Sequence, residues 1–159
     1  MQDTYIDIIA LLERAHRRFL EVVKLELDNL GVPDINNMQA MILFNIGDLE
    51  MTVGELTTRG CYLGANVSYN VKKMLETGYI VQQRSLHDRR AVKVRLTEKG
   101  LALRAKLAQM HDRHVASLAQ LLEHADDLAS SHKTLRKLER FWTQVLAFGN
   151  RPSQVSPAA

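Results

Sequence analysis

Residues 64–100 have the sequence GANVSYNVKKMLETGYIVQQRSLHDRRAVKVRLTEKG, and their hydrophobic period changes halfway along. In the first part, apolar residues recur at three- and four-residue spacing, which predicts a helix from about Asn66 to Thr77. Gly78 follows, and glycine commonly ends a helix. Residues 79–84 and 91–96 are then rich in β-forming side chains, and the second run alternates apolar with basic residues. The stretch therefore predicts a helix followed by a β-hairpin.

A second short helix is predicted just before this stretch. Thr52-Val53-Gly54-Glu55 matches the capping box, in which a threonine and a glutamate bond each other's free backbone N–H groups at a helix start. That helix runs to about Arg59, and the glycine-bounded turn of residues 60–64 follows. Two short helices joined by a tight turn predict a helix-turn-helix, and the hairpin beyond it makes this a winged helix-turn-helix.

Long helices are predicted on both sides of this region, because apolar stripes at helical spacing flank it. The predicted fold class is mostly α with a small β-hairpin wing, in the element order α-α-α-α-β-β-α-α. The flanking helices are expected at about Thr4 to Leu30, at Asn36 to Ile46 with Asn36 or Asn37 as the cap, and at about Leu128 to Phe148. A further long helix is expected to be capped by Thr97 and to carry apolar residues from Leu101 to Leu122.

Composition excludes several classes of protein. The chain has 159 residues, 46% hydrophobic and 25% charged, which suits a single globular domain. A lone cysteine, Cys61, excludes an internal disulfide scaffold and any zinc site made of two or more cysteines. Because we find neither a secretory signal pattern nor an apolar run long enough for a membrane span, we expect a cytoplasmic protein without a membrane partner.

Positive charge is concentrated in residues 59–100. That window holds nine basic and three acidic residues, a net charge of +6, whereas the remainder of the chain has a net charge of −3. Such a concentration is typical of a surface that binds a polyanion. A solvated surface without a partner gives the same pattern, so charge alone leaves both interpretations open.

The helix of residues 66–77 has an apolar side and a polar side. Val67, Val71, Met74 and Leu75 share the apolar side. On the polar side, we predict base-edge contacts by Asn66, Ser68 and Tyr69 and phosphate contacts by Lys72 and Lys73. An ordinary solvated helix face is the alternative.

The tip of the hairpin is basic. It contains His87-Asp88-Arg89-Arg90, and adjacent arginines on a short turn suit the negative potential of a narrow minor groove. A neighbouring carboxylate can hold a guanidinium in place. A surface turn charged for solubility is the alternative.

The segment from Asp88 to Gly100, DRRAVKVRLTEKG, closely resembles the signature of the MarR family, an Asp-x-Arg wing tip followed by an alternating strand and Leu-Thr-x-x-Gly. The preceding MLETGYI of residues 74–80 is similar to the end of the family's recognition helix. The resemblance covers about residues 52–100. It implies a cytoplasmic, homodimeric transcriptional regulator that binds pseudo-palindromic operators in double-stranded DNA and commonly represses. It also implies that Arg90 enters the minor groove, with Asp88 orienting it, and that Arg89 is the variable middle position.

A homodimer is also indicated by the residues themselves. The first and last predicted helices have broad apolar stripes, which a winged core of about 65 residues is too small to bury. We therefore predict one MarR-like domain over residues 1–148. In it, residues 1–35 and 101–148 mainly form dimerisation helices and residues 36–100 form the winged helix-turn-helix, and residues 149–159 form a disordered tail.

The resemblance implies two possible ways in which DNA binding is regulated, by a small ligand or by cysteine oxidation. Family members respond to small aromatic or phenolic ligands bound between the dimer and DNA-binding regions, and on this basis His16, Phe19, Met41 and Phe44 are the candidate lining residues. Plain core or dimer packing is the alternative for each. Others respond to cysteine oxidation, which makes Cys61 a candidate redox switch, although a structural turn residue is the simpler interpretation.

The remaining function classes are disfavoured. His111 and His114 share a helix face without a third metal ligand at suitable spacing, so no metal site is predicted. The residue types of a thiol triad are present in Cys61, His87 and Asp88. Because they lie in a predicted turn and a predicted exposed hairpin, no enclosed cleft is expected around them, and neither enzyme activity nor a cofactor is predicted. A winged-helix module that contacts only protein is the main alternative, and the net charge of +6 disfavours it.

Overall fold

Six helices and three strands follow one another in the part of the chain that the computed structural model describes, residues 1–60, 64–84, 92–122 and 126–149. In chain order they are α1 (Gln2–Asn29), α2 (Asn37–Ile46), β1 (Met51–Thr52), α3 (Val53–Gly60), α4 (Gly64–Glu76), β2 (Ile80–Arg84), β3 (Val92–Leu96), α5 (Glu98–Leu121) and α6 (Asp126–Phe148). The chain divides into two compact units, Met1–Asp112 and Arg113–Ala159. The predicted class, mostly α with a small β-hairpin wing, is confirmed.

The predicted element order was wrong in one respect, because it lacked β1. The three strands form an antiparallel sheet in the order β1-β3-β2. In this sheet Met51 lies opposite Val94 and Thr52 opposite Lys93, while β2 pairs with β3 along its whole length. Two residues are too few to show a strand period, and β1 exists only because it pairs with a strand about 40 residues further on.

The predicted starts of α2 and α3 are confirmed by their caps, whereas α1 and α6 each begin two residues earlier than predicted. The Asn36 side chain accepts from the backbone N–H of Gln39, whose own side chain accepts from the N–H of Asn36, so α2 starts with a capping box. Thr52 and Glu55 form the predicted capping box at α3, with N···O distances of 2.6 and 3.1 Å. These reciprocal bonds satisfy N–H groups that have no partner inside their helices.

The recognition helix α4 starts two residues earlier than predicted and ends one residue earlier. Gly78 has a φ of +75°, and the backbone N–H of Tyr79 donates to the carbonyl of Met74 at 2.9 Å. This is a Schellman ending, which needs a residue in the left-handed region. Gly31 ends α1 in the same way, with a φ of +65°.

One hydrophobic core organises the first unit. All of its helices and the sheet contribute fully buried side chains, and the predicted apolar side of α4 is among them. The buried core residues include Leu27, Leu43, Leu56, Val67, Val71, Met74, Val94 and Leu107. Because one side of α4 is anchored in this core, its opposite side faces solvent.

The second unit exposes apolar side chains instead. It contains the end of α5 and all of α6, and no residue of α6 is buried. Exposed large apolar residues on α6 are Leu128, Leu135, Phe141, Leu146 and Phe148. Within the described ranges, no helix combines the length and apolarity that crossing a bilayer requires.

Gly78→Ala should destabilise the first unit. A side chain in the left-handed region costs about 1–2 kcal/mol, so we expect the free energy of unfolding to fall by about that amount in a urea titration. Gly54→Ala is the matched control, because Gly54 lies in α3 with helical backbone, and a Cβ there would meet its nearest atom at 3.8 Å. An unchanged unfolding midpoint for Gly78→Ala would contradict the assigned ending of α4.

Candidate nucleic-acid interface

The polar side of α4 places five predicted contact residues together. Their side chains are all exposed, and they occupy successive turns of one helix: Asn66, Ser68, Tyr69, Lys72 and Lys73. Tyr69 is 61% exposed, which is unusual for an aromatic residue and leaves its ring and hydroxyl available to a partner. The arrangement offers hydrogen-bonding groups near the start of the helix and cations further along.

The two lysines of this side differ in their surroundings. Lys73 Nζ donates to Glu76 Oε2 at 2.8 Å, an exposed pair one helical turn apart. This hydrogen bond raises the pKa of Lys73 and lowers the pKa of Glu76. Among the described residues Lys72 makes no ion pair. Lys72 therefore presents its charge directly, whereas the carboxylate of Glu76 partly offsets the charge of Lys73.

The outer side of the sheet adds two more basic residues. Val94 and Leu96 point into the core, so the alternation of β3 places Lys93 and Arg95 on the opposite side. Lys93 lies between Thr52 of β1 and Gln83 of β2. Arg95 Nε lies 3.9 Å from Glu50 Oε1. The predicted period-two alternation is confirmed, whereas Lys93 and Arg95 are not among the DNA contacts predicted from the sequence.

Glu55 connects the sheet to the start of α3. Its pKa is lowered first by the hydrogen bond from the backbone N–H of Thr52 and then by the Thr52 hydroxyl, with the positive charge of Lys93 adding to the effect. Glu55 therefore stays ionised at the positive end of the helix. This fixes the first helix of the helix-turn-helix beside the base of the wing.

Four predicted site residues lie outside the described residues. They are Cys61 in the turn and Asp88, Arg89 and Arg90 at the wing tip. The minor-groove role of the wing and the redox role of the turn stay predictions from the sequence.

The candidate effector residues are only partly brought together. Phe19, Met41 and Phe44 are half-buried and pack against the core, whereas His16 is exposed on α1. The ring of His111 joins them, with its centre 6.0 Å from that of Phe19 and 4.7 Å from that of Phe44. The only role that the sequence raises for His111 is metal binding, through its spacing from His114. Its position on α5, opposite α1 and α2, was the missing information.

We find no metal site in the described part of the chain. No group of three or more histidine, cysteine, aspartate or glutamate side chains lies close enough together there to hold a metal ion.

The class of protein follows from the site. A helix-turn-helix with an exposed polar and basic second helix, followed by a small antiparallel sheet, defines a winged-helix DNA-binding protein.

Comparison with known proteins identifies the family. The model of the MarR family matches residues 31–91. The exopolysaccharide II synthesis transcriptional activator ExpG of Rhizobium meliloti (strain 1021) is 38% identical over 146 residues, which cover 92% of this chain and 75% of that protein. The chain belongs to the MarR family of DNA-binding transcriptional regulators.

Solved structures share the fold. Streptococcus pneumoniae FabT in complex with DNA has a TM-score of 0.73 at 22% identity, with 89% of this chain and 99% of that chain covered. A mutant MarR from E. coli complexed with operator DNA has a TM-score of 0.69 at 21% identity, with 85% and 95% covered. The structural likeness thus extends across both units of the chain.

Substitutions on α4 should show that Lys72 and Lys73 contribute differently to DNA affinity. Lys72→Ala is expected to weaken binding to all DNA sequences and to lower the slope of log affinity against log salt by about 1 per subunit. Lys73→Ala should have a smaller effect, because Glu76 already offsets its charge. Glu76→Gln should strengthen binding, since it removes a negative charge and releases Lys73. Fluorescence anisotropy over a salt series measures all three.

Equal slopes for Lys72→Ala and Lys73→Ala, together with an unchanged affinity for Glu76→Gln, would contradict this distinction.

Proposed function

We propose that the protein binds a pseudo-palindromic operator as a homodimer, with α4 of each subunit in the major groove and Arg90 in the adjacent minor groove. Asp88 orients Arg90, and Arg89 contributes charge. The observation that carries this proposal is the solvent-facing polar side of α4, on a helix whose opposite side is anchored in the core. Two-fold symmetry would place the two recognition helices about 34 Å apart, one turn of DNA.

The exposed apolar side chains support the homodimer. α6 combines an apolar stripe with the absence of any buried residue, and α1 exposes Ile6, Ile9 and Leu11 near its start. Such surfaces are costly in water and are normally covered by a partner. A second copy of the chain supplies matching surfaces through a two-fold axis.

The direction of regulation has two candidates. Resemblance to the MarR family predicts repression, whereas the relative that is 38% identical is named a transcriptional activator, which favours activation. Both outcomes need the same operator-bound dimer and differ in where the operator lies relative to the promoter. A promoter fusion assayed with and without the gene decides between them.

We further propose a small aromatic or phenolic effector that binds beside Phe19, Met41 and Phe44. Support comes from the half-burial of these residues and from the nearby ring of His111, because an aromatic-lined site with one polar group suits a phenol. His16, on the exposed side of α1, would contact the effector at the rim of such a site.

Arg90→Ala should weaken operator binding strongly and leave the dimer intact, because the wing lies outside the predicted dimerisation helices. Arg89→Ala is the matched control: it removes the same charge from the same turn, and a smaller loss is expected. A gel-shift titration at fixed salt measures both, and sedimentation measures the dimer. Equal losses for the two variants would contradict the minor-groove role of Arg90, and a monomeric wild type would contradict the homodimer.

An aromatic effector should release the protein from DNA, and Phe44→Leu should weaken that response. We expect benzoate, phenol or 4-hydroxybenzoate to lower the affinity of the wild type in an anisotropy titration. Leu49→Ala, which alters an exposed apolar residue outside both the aromatic cluster and the predicted dimerisation helices, should respond like the wild type. An identical response of all three proteins would remove the aromatic cluster from consideration, and no response to any probe would refute this class of effector.

A further inference from the structure

Three side chains from distant parts of the sequence meet at the end of the recognition helix. Asp34 lies between α1 and α2, Tyr79 follows α4, and Lys99 is in the first turn of α5. The Tyr79 hydroxyl donates to Asp34 Oδ1 and Lys99 Nζ donates to Asp34 Oδ2, both at 2.6 Å. Lys99 Nζ also lies 4.1 Å from the centre of the Tyr79 ring. One carboxylate thus joins three segments of the first unit.

Thr97 and Lys99, at the start of α5, also hold the backbone that follows α4. Lys99 Nζ donates to the carbonyl of Thr77 at 2.8 Å. The Thr97 hydroxyl donates to the carbonyl of Gly78 at 2.7 Å, and the Thr97 backbone N–H donates to the carbonyl of Tyr79 at 3.0 Å. Three consecutive carbonyls just after the recognition helix are therefore bonded by Thr97, which precedes α5, and by Lys99 in its first turn. The Lys99 cation lies at the negative end of the recognition helix, which favours positive charge.

This junction has little room to shift. Tyr79 is 2% exposed, and a Cβ added at Gly100 would overlap the Tyr79 carbonyl oxygen. The pKa of Asp34 is lowered chiefly by its hydrogen bond with Lys99 and next by that with Tyr79, so its carboxylate stays charged and keeps both donors. Burial raises the pKa of Tyr79, with the carboxylate of Asp34 adding to the effect, so its hydroxyl stays protonated and able to donate.

We propose that Asp34, Tyr79 and Lys99 are positioning residues that hold the recognition helix at a set angle to the first turn of α5 and the linker between α1 and α2. Base-edge contacts need the helix placed accurately, whereas phosphate contacts by flexible lysines tolerate small shifts. Loss of the junction should therefore lower sequence discrimination more than general DNA affinity. The proposal rests on DNA recognition by α4.

The test uses the full chain and two duplexes of equal length and base composition, one selected by the wild type from a random pool and one unrelated. Lys99→Met and Tyr79→Phe should lower the ratio of the two affinities about tenfold. Affinity for the unrelated duplex and its salt slope should be unchanged. The double variant Asp34→Asn, Lys99→Met should lose little more than either single variant, because the groups act as one unit.

Lys24→Met is the matched control. Lys24 Nζ and Asp28 Oδ1 are also 2.6 Å apart and similarly exposed, but both lie on α1. This variant should keep the wild-type affinity ratio. Thermal unfolding of every variant shows whether it is folded at the assay temperature, and Tyr79→Phe, which removes one oxygen, provides the mildest change.

Several outcomes would overturn the proposal. An unchanged affinity ratio in folded Lys99→Met and Tyr79→Phe, whether or not the unfolding temperature falls, would show that the junction serves stability alone. Parallel loss of affinity for both duplexes would exclude a specific effect on helix position. A wild type that binds DNA but selects no sequence would refute operator recognition itself, and the positioning role with it.

Discussion

The last carbonyl groups of a helix have no partner within that helix, and this constraint organises the region around α4. At α4 the carbonyls of Met74 and Leu75 are satisfied by the backbone turning back through Gly78. The carbonyls of Thr77, Gly78 and Tyr79, which follow the helix, accept hydrogen bonds from Lys99 and Thr97 at the start of α5. The same bonds set the point at which β2 departs from the helix. The positions of the recognition helix and the wing sheet thus depend on one another.

Local features of this architecture were predictable because their causes are local. A glycine in the left-handed region ends α4, a threonine and a glutamate three residues apart start α3, and alternation along β3 assigns its two sides. Each is determined by neighbours within a few residues, so a single sequence contains the information. The exposed side of α4 followed for the same reason, since its apolar side had to be buried.

Features that depend on distant partners were not predictable. Asp34 was expected only to lie between two helices and Tyr79 only to begin a strand, yet 45 residues separate these bonded side chains. Strand β1 was not predicted for the same reason, because its partner β3 is distant in the sequence. The pairing of Lys73 with Glu76 is different, because their spacing of three residues on one helix was visible in the sequence. The net charge of residues 59–100 already includes both residues, but it does not show that Glu76 is paired with Lys73 rather than with Lys72.

Strand β1 has a consequence for aggregation. An unpaired strand edge can add a strand from another molecule. β3 is the central strand, with β2 along one edge and β1 against Lys93 and Val94 on the other. The chain therefore closes the base of its own sheet with only two residues. Pairing of another molecule with β3 is blocked at these two residues, whereas the outer edge of β2 pairs with no strand of the described sheet.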